Sequence, residues 1–429
     1  MSPIHFDDRE FDAQLERAIG KAYYGCADAG ECLTTADRIE DGEYDSWYEE
    51  WFATAESVET VARESRADGH LVSARAAFLR ATEYYRSAYF FHRHDLDDPD
   101  LHEAWRRQRE CFRAAASLFE HRCELIDVPF EGTTLSGYFL APDASGQVRP
   151  TVIGFPGYDS PVEESYPLLA TAAIDRGYNC LLFEGPGQGG ALYEKRLFFR
   201  PDYETVLRPV VDYAARRPDV DSARLALVGR SFGGYLAPRA ATGEHRLAAL
   251  VADPGLVDLG RLVIDQVPEE LRAGVLEGDA DADAALGEQL EDPHALEYFG
   301  SRMAAHGIDS LGEYVRELQA YTLEGRLESI RCPTLVTGNE SDRLAVQSRE
   351  LSESLSAPSQ YVEFTDAEGA GGHCEGMGQS VFHQRTFDWL DETLGLRTHT
   401  RPSPTATPTQ RSPPTPGQSP TAPPHDPGR

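Results

Sequence analysis

The sequence predicts an α/β protein whose mostly parallel sheet is covered by helices on both faces. Two observations carry this. From Pro150 onward, short apolar runs alternate with helical stretches, and each run ends in Gly or Asp: PTVIGFPG, YNCLLFEGPGQG, RLALVGRSFGG, LAALVADPG, PTLVTGNESD and QYVEFTDAEGAGGH. A strand that returns through a helix lies parallel to its neighbour and is buried on both faces, so its sequence is continuously apolar. The second observation is that two other regions carry only the helical period, one before Cys123 and one over 256–329.

Taken in chain order, segments 11–33, 43–66, 70–92 and 100–121 each repeat apolar residues at three-to-four spacing, which predicts helices. Leu79, Tyr84, Tyr85, Ala88 and Phe91 fall mostly on one stripe, and breaks come at Gly42, Asp68-Gly69 and Asp97 to Pro99. The helices follow one another in pairs, but no repeat of fixed period emerges. Tyr84, Tyr85, Tyr89, Phe90 and Phe91 are expected chiefly as helix-packing core.

At Cys123 the period changes, and CELIDVPFEGTTLSGYFLAP reads as two strands around a Glu131-Gly132 turn. The stretch 256–329 interrupts the strand rhythm. It is helical, acidic around EGDADADAALGEQLED, and lies between two central strands, so it reads as an inserted cap. From Thr398 the chain holds ten prolines and no Leu, Ile, Val or Phe; such a segment has nothing to bury and is expected to be disordered. The expected division is 1–122 (N-terminal helical domain), 123–255 with 330–397 (α/β core), 256–329 (helical cap) and 398–429 (tail).

Composition narrows the function classes. The formal charge of −32 repels phosphate backbones and anionic lipid, so neither nucleic acid nor a membrane is an expected partner. Lys21 and Lys195 are the only lysines, which reads as GC-rich coding bias or, second, as salt adaptation. Seven dispersed cysteines without a C-x-x-C argue against a disulfide framework and against a metal site. No apolar run reaches membrane-spanning length, and the N-terminal residues lack a basic start and an apolar h-region. A cytoplasmic protein acting on a small molecule without a cofactor is the expectation. A homodimer is compatible with these numbers and not required by them.

The chemistry is concentrated in Gly229-Arg230-Ser231-Phe232-Gly233, a G-x-S-x-G pattern. LALV before it is a buried-strand run, and FGGYLAPRAAT after it opens a helix. A serine on such a sharp strand-to-helix turn needs small neighbours, which Gly229 and Gly233 supply, while Gly234 allows a close helix approach. Pro238 is awkward within that helix. A serine hydroxyl needs a base, and the base needs an orienting acid. In this arrangement the chain order is Ser, acid, His. Asp342 ends a late strand run, with Glu340 as its rival and helix capping as its other use. His373 lies in the glycine-rich loop AEGAGGHCEGMG after the next strand run. His245, His294, His306 and His383 lie in less suitable places. Oxyanion donors are expected from the backbone N–H of Phe232 and from the loop after PTVIGF, where Pro156 has none and Tyr158 is favoured over Gly157. Glu184-Gly185-Pro186-Gly187-Gln188-Gly189 lacks the G-K-[ST] ending of a phosphate loop and reads as a tight turn at the rim of the site. These features together define an α/β-hydrolase fold with catalytic Ser231, Asp342 and His373.

On GFPGYDSPVEESYPLLATAAIDRGYNCLLFEGPGQG, VGRSFGGYLAPRAA, EGAGGHCEGMGQSVFHQRTFDWLDE and the helical N-terminal region, the chain resembles the polyketide chain-shortening hydrolases of fungal pigment synthesis. It also resembles the bacterial 2,6-dihydroxypseudooxynicotine hydrolase. The resemblance spans about residues 10–395. It implies cleavage of a carbon–carbon bond next to a ketone, with helical domain and cap closing over the catalytic edge. It carries the triad onto Ser231, Asp342 and His373. It also implies an extra pocket carboxylate, for which Asp253 is the nearest candidate by position. An esterase or thioesterase, an acyltransferase or cyclase, and a silent binding protein are the competing readings; the intact Ser, Asp and His oppose the last.

Overall fold

The computed structural model describes residues 3–396; the tail expected to be disordered lies outside them. Eight strands form one sheet: β1 (Arg122–Phe130), β2 (Thr133–Ala141), β3 (Arg149–Phe155), β4 (Asn179–Phe183), β5 (Val220–Arg230), β6 (Ala249–Asp253), β7 (Thr334–Asn339) and β8 (Ser359–Phe364). Their order is β1-β2-β4-β3-β5-β6-β7-β8. From β4 to β8 all neighbours are parallel, while β2 is antiparallel to both β1 and β4. The β1–β2 hairpin turns on Glu131 (φ 42°) and Gly132 (φ 84°), the two left-handed residues that match a tight turn to the twist of its strands.

After β3 the chain crosses to β4 on one side and then returns to β5 on the other. The direction of winding therefore reverses at β3, and such a switch leaves a crevice at the carboxyl ends of the flanking strands. The loop after β3 and the turn after β5 both open there.

Alternation along each strand divides the core. Ala226 and Val228 of β5 join a cluster with Trp47, Trp51, Tyr84 and Phe387 on one face. Leu225 and Leu227 join Leu207, Tyr235, Leu236 and Leu318 on the other. Full burial of each large aliphatic side chain stabilises the fold by roughly 1.5–3 kcal/mol. Tyr84, Tyr85, Tyr89, Phe90 and Phe91 are all buried.

The N-terminal helices are Arg9–Gly20, Ala29–Ala36, Tyr44–Ala67, Leu71–Ala88 and Pro99–Ala116. The single helix expected over 11–33 is thus two. Gly25 turns left-handed at φ 71°, and the Asp28 carboxylate starts the second helix by accepting from the N–H groups of Gly30 and Glu31. Between β6 and β7 the chain forms helices Leu259–Ile264, Glu269–Glu277, Ala280–Gly287, Pro293–His306 and Leu311–Leu318. The ends of this stretch are pinned together by Leu259 N–H to Tyr321 O (3.0 Å) and Leu323 N–H to Val257 O (2.8 Å). Helices and sheet pack as one compact unit ending at Leu396. No helix among the described residues is long and apolar enough to cross a membrane.

Pro238 lies inside the helix Gly233–Ala241 and has no N–H for the Gly234 carbonyl four residues back. Leu256 N–H takes that carbonyl instead, at 3.3 Å. The irregularity ties the helix to the start of the inserted stretch.

Candidate active site

Ser231 follows the last residue of β5 with φ 57°, the left-handed region that non-glycine residues avoid. Two backbone bonds hold it there: its N–H donates to Asp253 O at 2.6 Å, and its carbonyl accepts from Gly234 N–H at 2.8 Å. Gly229 is obligatory, since a Cβ would stand 2.0 Å from Gly233 O. Strain at one residue costs about 1–3 kcal/mol and survives only where the surroundings over-determine it.

His373 Nε2 lies 2.9 Å from Ser231 Oγ, and His373 Nδ1 lies 2.7 Å from Asp342 Oδ2. The structure therefore brings the three sequence-predicted residues into one hydrogen-bonded relay. Asp342 also caps the short helix Arg343–Gln347 by accepting from Leu344 N–H at 2.9 Å, so the cap and the contact with His373 coexist. Glu340 points elsewhere and accepts from Asp366 N–H. Burial works against the Asp342 charge, but His373 and the Leu344 N–H outweigh it and hold the carboxyl below the usual carboxylate range. Desolvation pulls His373 down, while the neighbouring Cys374 and Asp342 hold it well above the ordinary imidazole value.

The loop that carries His373 is itself strained. Cys374 (φ 47°) and Glu375 (φ 63°) are left-handed. Arg230 holds them through Nη2 to Cys374 O (2.6 Å) and to Glu375 Oε2 (2.7 Å). Asn339 Nδ2 takes the other Glu375 oxygen at 3.0 Å. Burial and the nearby Asp253 push the Glu375 carboxyl well above its ordinary value.

Asp253 corrects an expectation. It is not a free pocket carboxylate: it is fully buried, and its oxygens accept from Arg230 Nε (2.7 Å) and Thr337 Oγ1 (2.7 Å). Both carboxylate oxygens are thus taken up by side chains of the neighbouring strands β5 and β7.

Gly157 lies against the serine: a Cβ on it would be 2.8 Å from Ser231 Cβ and 3.1 Å from Ser231 Oγ. The backbone N–H groups of Phe232 and Tyr158 have no acceptor among the described residues. Gln188 Nε2 holds the carbonyls of the loop, donating to Pro156 O and to Gly157 O (3.1 Å). Gln188 Oε1 is in turn fixed by Gly185 N–H (2.8 Å) and Tyr203 Oη (3.3 Å). The GPGQG turn is thus a brace for the loop beside Ser231. A close-packed turn residue was legible in the sequence, but its partner was not.

The Tyr158 ring stacks on Phe232 with centroids 4.3 Å apart. Its hydroxyl meets His306 Nε2 (2.5 Å) and Tyr314 Oη (3.2 Å), both from the 256–329 stretch. Burial lowers His306 to about 3, so the ring is neutral and a hydrogen-bonding partner only. From the N-terminal side, Arg17 reaches Asp159 and Ser160. Both helical regions therefore touch the 157–160 loop. His383, buried between Tyr24 Oη and Leu168 O, plays no part in the relay.

Among the described residues, His92, Asp98 and Asp100 form a group that could hold a metal ion. It lies on the N-terminal helices, where Asp98 already caps the helix Pro99–Ala116 and bonds His92 Nδ1 at 2.8 Å. All seven cysteines are free.

Comparisons with known proteins agree with this geometry. Residues 152–384 match the model of the Alpha/beta hydrolase family. The chain is 33% identical to "Hydrolase LUC6" of a Fusarium species, over 91% of this chain and 98% of the relative. It is 31% identical to "20-hydroxy-prefusarin hydrolase FUS2" of Gibberella moniliformis, over 90% and 97%. The solved structure of 2,6-dihydroxy-pseudo-oxynicotine hydrolase superposes with a TM-score of 0.69 at 23% identity, covering 87% of this chain and 95% of that one. AbyA5 superposes at 0.59 with 19% identity, covering 85% and 93%. The parallel sheet, the serine on its strand-to-helix turn and these matches agree: the chain is a hydrolase enzyme belonging to the alpha/beta hydrolase family.

Proposed function

We propose that the protein is a serine hydrolase that cleaves a carbon–carbon bond next to a ketone, or an ester or thioester, in a small polyketide-like or aryl-ketone metabolite. The observation that carries this is the unbroken relay from Ser231 Oγ through His373 to Asp342 at 2.9 and 2.7 Å. In this reading His373 Nε2 removes the Ser231 proton as Oγ attacks the carbonyl carbon. Asp342 keeps Nδ1–H in place and stabilises the imidazolium. The oxyanion forms opposite the N–H groups of Phe232 and of Tyr158 or Gly157. Collapse breaks the bond on the far side of the carbonyl, and His373 returns its proton to the departing enolate, alkoxide or thiolate. Water, deprotonated by His373, then releases the acyl group as a carboxylic acid and restores Ser231.

The substrate class draws support from relatives whose names include a prefusarin hydrolase, matched along nearly their whole length. We further propose a division of labour in which the N-terminal helices and the 256–329 stretch select the substrate, since both reach the loop beside Ser231. The test is labelling with a fluorophosphonate, read by intact mass and peptide mapping, followed by turnover assays on 1,3-diketones, aryl esters and thioesters. Labelling at Ser231 that vanishes in Ser231→Ala, with turnover of a 1,3-diketone, is the expected result. Labelling that persists in the Ala variant overturns the serine; turnover of esters alone removes the carbon–carbon assignment.

A further inference from the structure

We propose that Arg17, on the N-terminal helix Arg9–Gly20, is a positioning residue for the oxyanion site, holding the loop that packs against Ser231 at Gly157. This rests on the serine-hydrolase reading above and assigns the N-terminal helices a part in the reaction itself, beyond substrate choice.

The argument begins with what Arg17 touches. Its Nη2 donates to Ser160 Oγ (2.7 Å), Asp159 Oδ1 (3.1 Å) and Glu164 Oε2 (2.6 Å), and its Nε donates to Glu164 Oε1 (2.7 Å). Asp159 and Ser160 directly follow Gly157 and Tyr158. The guanidinium thus grips the loop at Asp159 and Ser160, while Gln188 holds the carbonyls of Pro156 and Gly157. Between these two grips, few orientations remain for the 157 and 158 amides.

The same helix also reaches the loop that carries the base. A Cβ on Gly20 would stand 2.9 Å from Gly376 O and 3.3 Å from Met377 Cα, so helix backbone and loop backbone are in direct contact. One rigid helix therefore abuts both the 157–160 loop and the loop after His373.

The energetics favour a geometric role over simple adhesion. Glu164 is fully buried and is shared by Arg17, Lys21 and, at 3.8 Å, Arg86; Glu83 also pairs with Lys21 (2.6 Å) and Arg86 (2.8 Å). A buried ion cluster is rarely more stabilising than apolar packing of the same volume, whereas it fixes direction as apolar packing does not. Its neighbours on this interface, Phe90, Phe112 and Tyr166, are buried aromatic rings. Burial opposes the Asp159 charge, but Arg17 and Arg93 hold its carboxyl well below the usual range, which keeps the pair ionised across the working pH.

A displaced oxyanion donor slows bond formation without weakening the initial complex, and a misplacement near 1 Å costs on the order of 100-fold. The experiment is the kinetics of Ser231 phosphonylation by a fluorophosphonate, separated into kinact and KI, for wild type, Arg17→Lys and Ser160→Ala. Far-UV circular dichroism and melting confirm folding. Arg17→Lys keeps the charge and loses the fork; Ser160→Ala removes one bond and no charge, so it reports even where the lysine variant fails to fold. The expected result is kinact reduced at least about tenfold in Arg17→Lys and less in Ser160→Ala, with KI unchanged and the acid limb set by His373 in its wild-type position. Wild type that is not labelled at Ser231 removes the serine-nucleophile reading and this inference with it. Wild type labelled, with folded variants at the wild-type kinact or altered only in KI, overturns the inference alone.

Discussion

Arg230 and Asp253 form a buried ion pair, Nε to Oδ2 at 2.7 Å, beside Ser231. Arg230 fills the variable position before Ser231, and Asp253 supplies the carbonyl that accepts the Ser231 N–H at 2.6 Å. The same guanidinium reaches Glu375 Oε2, Cys374 O and Gln379 Oε1 (2.9 Å). One side chain therefore connects the strand that leads to Ser231, the strand beside it and the strained loop of His373.

Replacing Arg230 by Met leaves the buried Asp253 and Glu375 carboxyl groups without their shared guanidinium and the left-handed loop without two of its hydrogen bonds. Removal of one partner from a buried pair costs about 3–5 kcal/mol. Urea unfolding should show a loss of that size, with activity falling as well because His373 is no longer held. A variant within about 0.5 kcal/mol of wild type would show that the loop is set by other contacts.

The glycines around the serine are predicted to differ sharply. A Cβ at Gly234 would meet Pro254 O at 1.9 Å, and one at Gly229 would meet Gly233 O at 2.0 Å; both contacts are to backbone that cannot step aside. At Gly233 the nearest atom is Phe155 Cε2 at 3.5 Å, an ordinary contact. Gly229→Ala and Gly234→Ala should express poorly or unfold early. Gly233→Ala should keep its melting temperature or raise it slightly, since alanine favours the helix by up to about 1 kcal/mol. The thermal melts of the three variants decide this, and a Gly233→Ala variant as damaged as the other two would sink it.

The fold was legible because it rests on patterns that the chain repeats: apolar runs ending in Gly or Asp, helical stretches between them, and a serine set among glycines. The convergence of Ser231, Asp342 and His373 was legible because each follows a strand run, in the chain order that this fold uses. What the sequence could not convey was the use of side chains whose partners are distant. Asp253 looked available by position, yet the donors that occupy it, Arg230 and Thr337, come from two other strands. Gln188 looked like part of a turn, and its task depends on carbonyls about thirty residues earlier. The break at Gly25 was missed because helical spacing of apolar residues continues across it, while the left-handed residue and the Asp28 cap interrupt the backbone.

Gln188→Ala should separate rate from binding. Without its amide, the Pro156 and Gly157 carbonyls lose the donor that holds them. The neighbouring N–H groups can then rotate out of line. A fall in kcat of about 10- to 100-fold is expected, with KM changed little, because the interaction strengthens only as the oxyanion forms. A change confined to KM would place Gln188 in substrate binding instead.

The pH dependence follows from His373. Its imidazole must be neutral to accept the Ser231 proton, and the structure holds it well above the ordinary value near 6.5 against the opposing effect of desolvation. Activity should therefore rise with pH through a midpoint above about 6.5. Of the two groups that raise His373, Cys374 is itself pushed up by burial, so its thiol is uncharged at neutral pH and Asp342 supplies the charge. Asp342→Asn should then move the midpoint to lower pH and reduce the maximal rate by on the order of 10³- to 10⁴-fold, through loss of the held tautomer. Cys374→Ser should leave the midpoint in place. Stability runs the other way: a histidine raised in the folded state contributes stability below its unfolded value and loses it as pH climbs through the folded one. The stability gap between wild type and Asp342→Asn should accordingly narrow as pH rises through that limb. Rate profiles of kcat/KM and melting curves across the same pH range test both halves, and a midpoint unmoved by Asp342→Asn would assign control of the imidazole to another group.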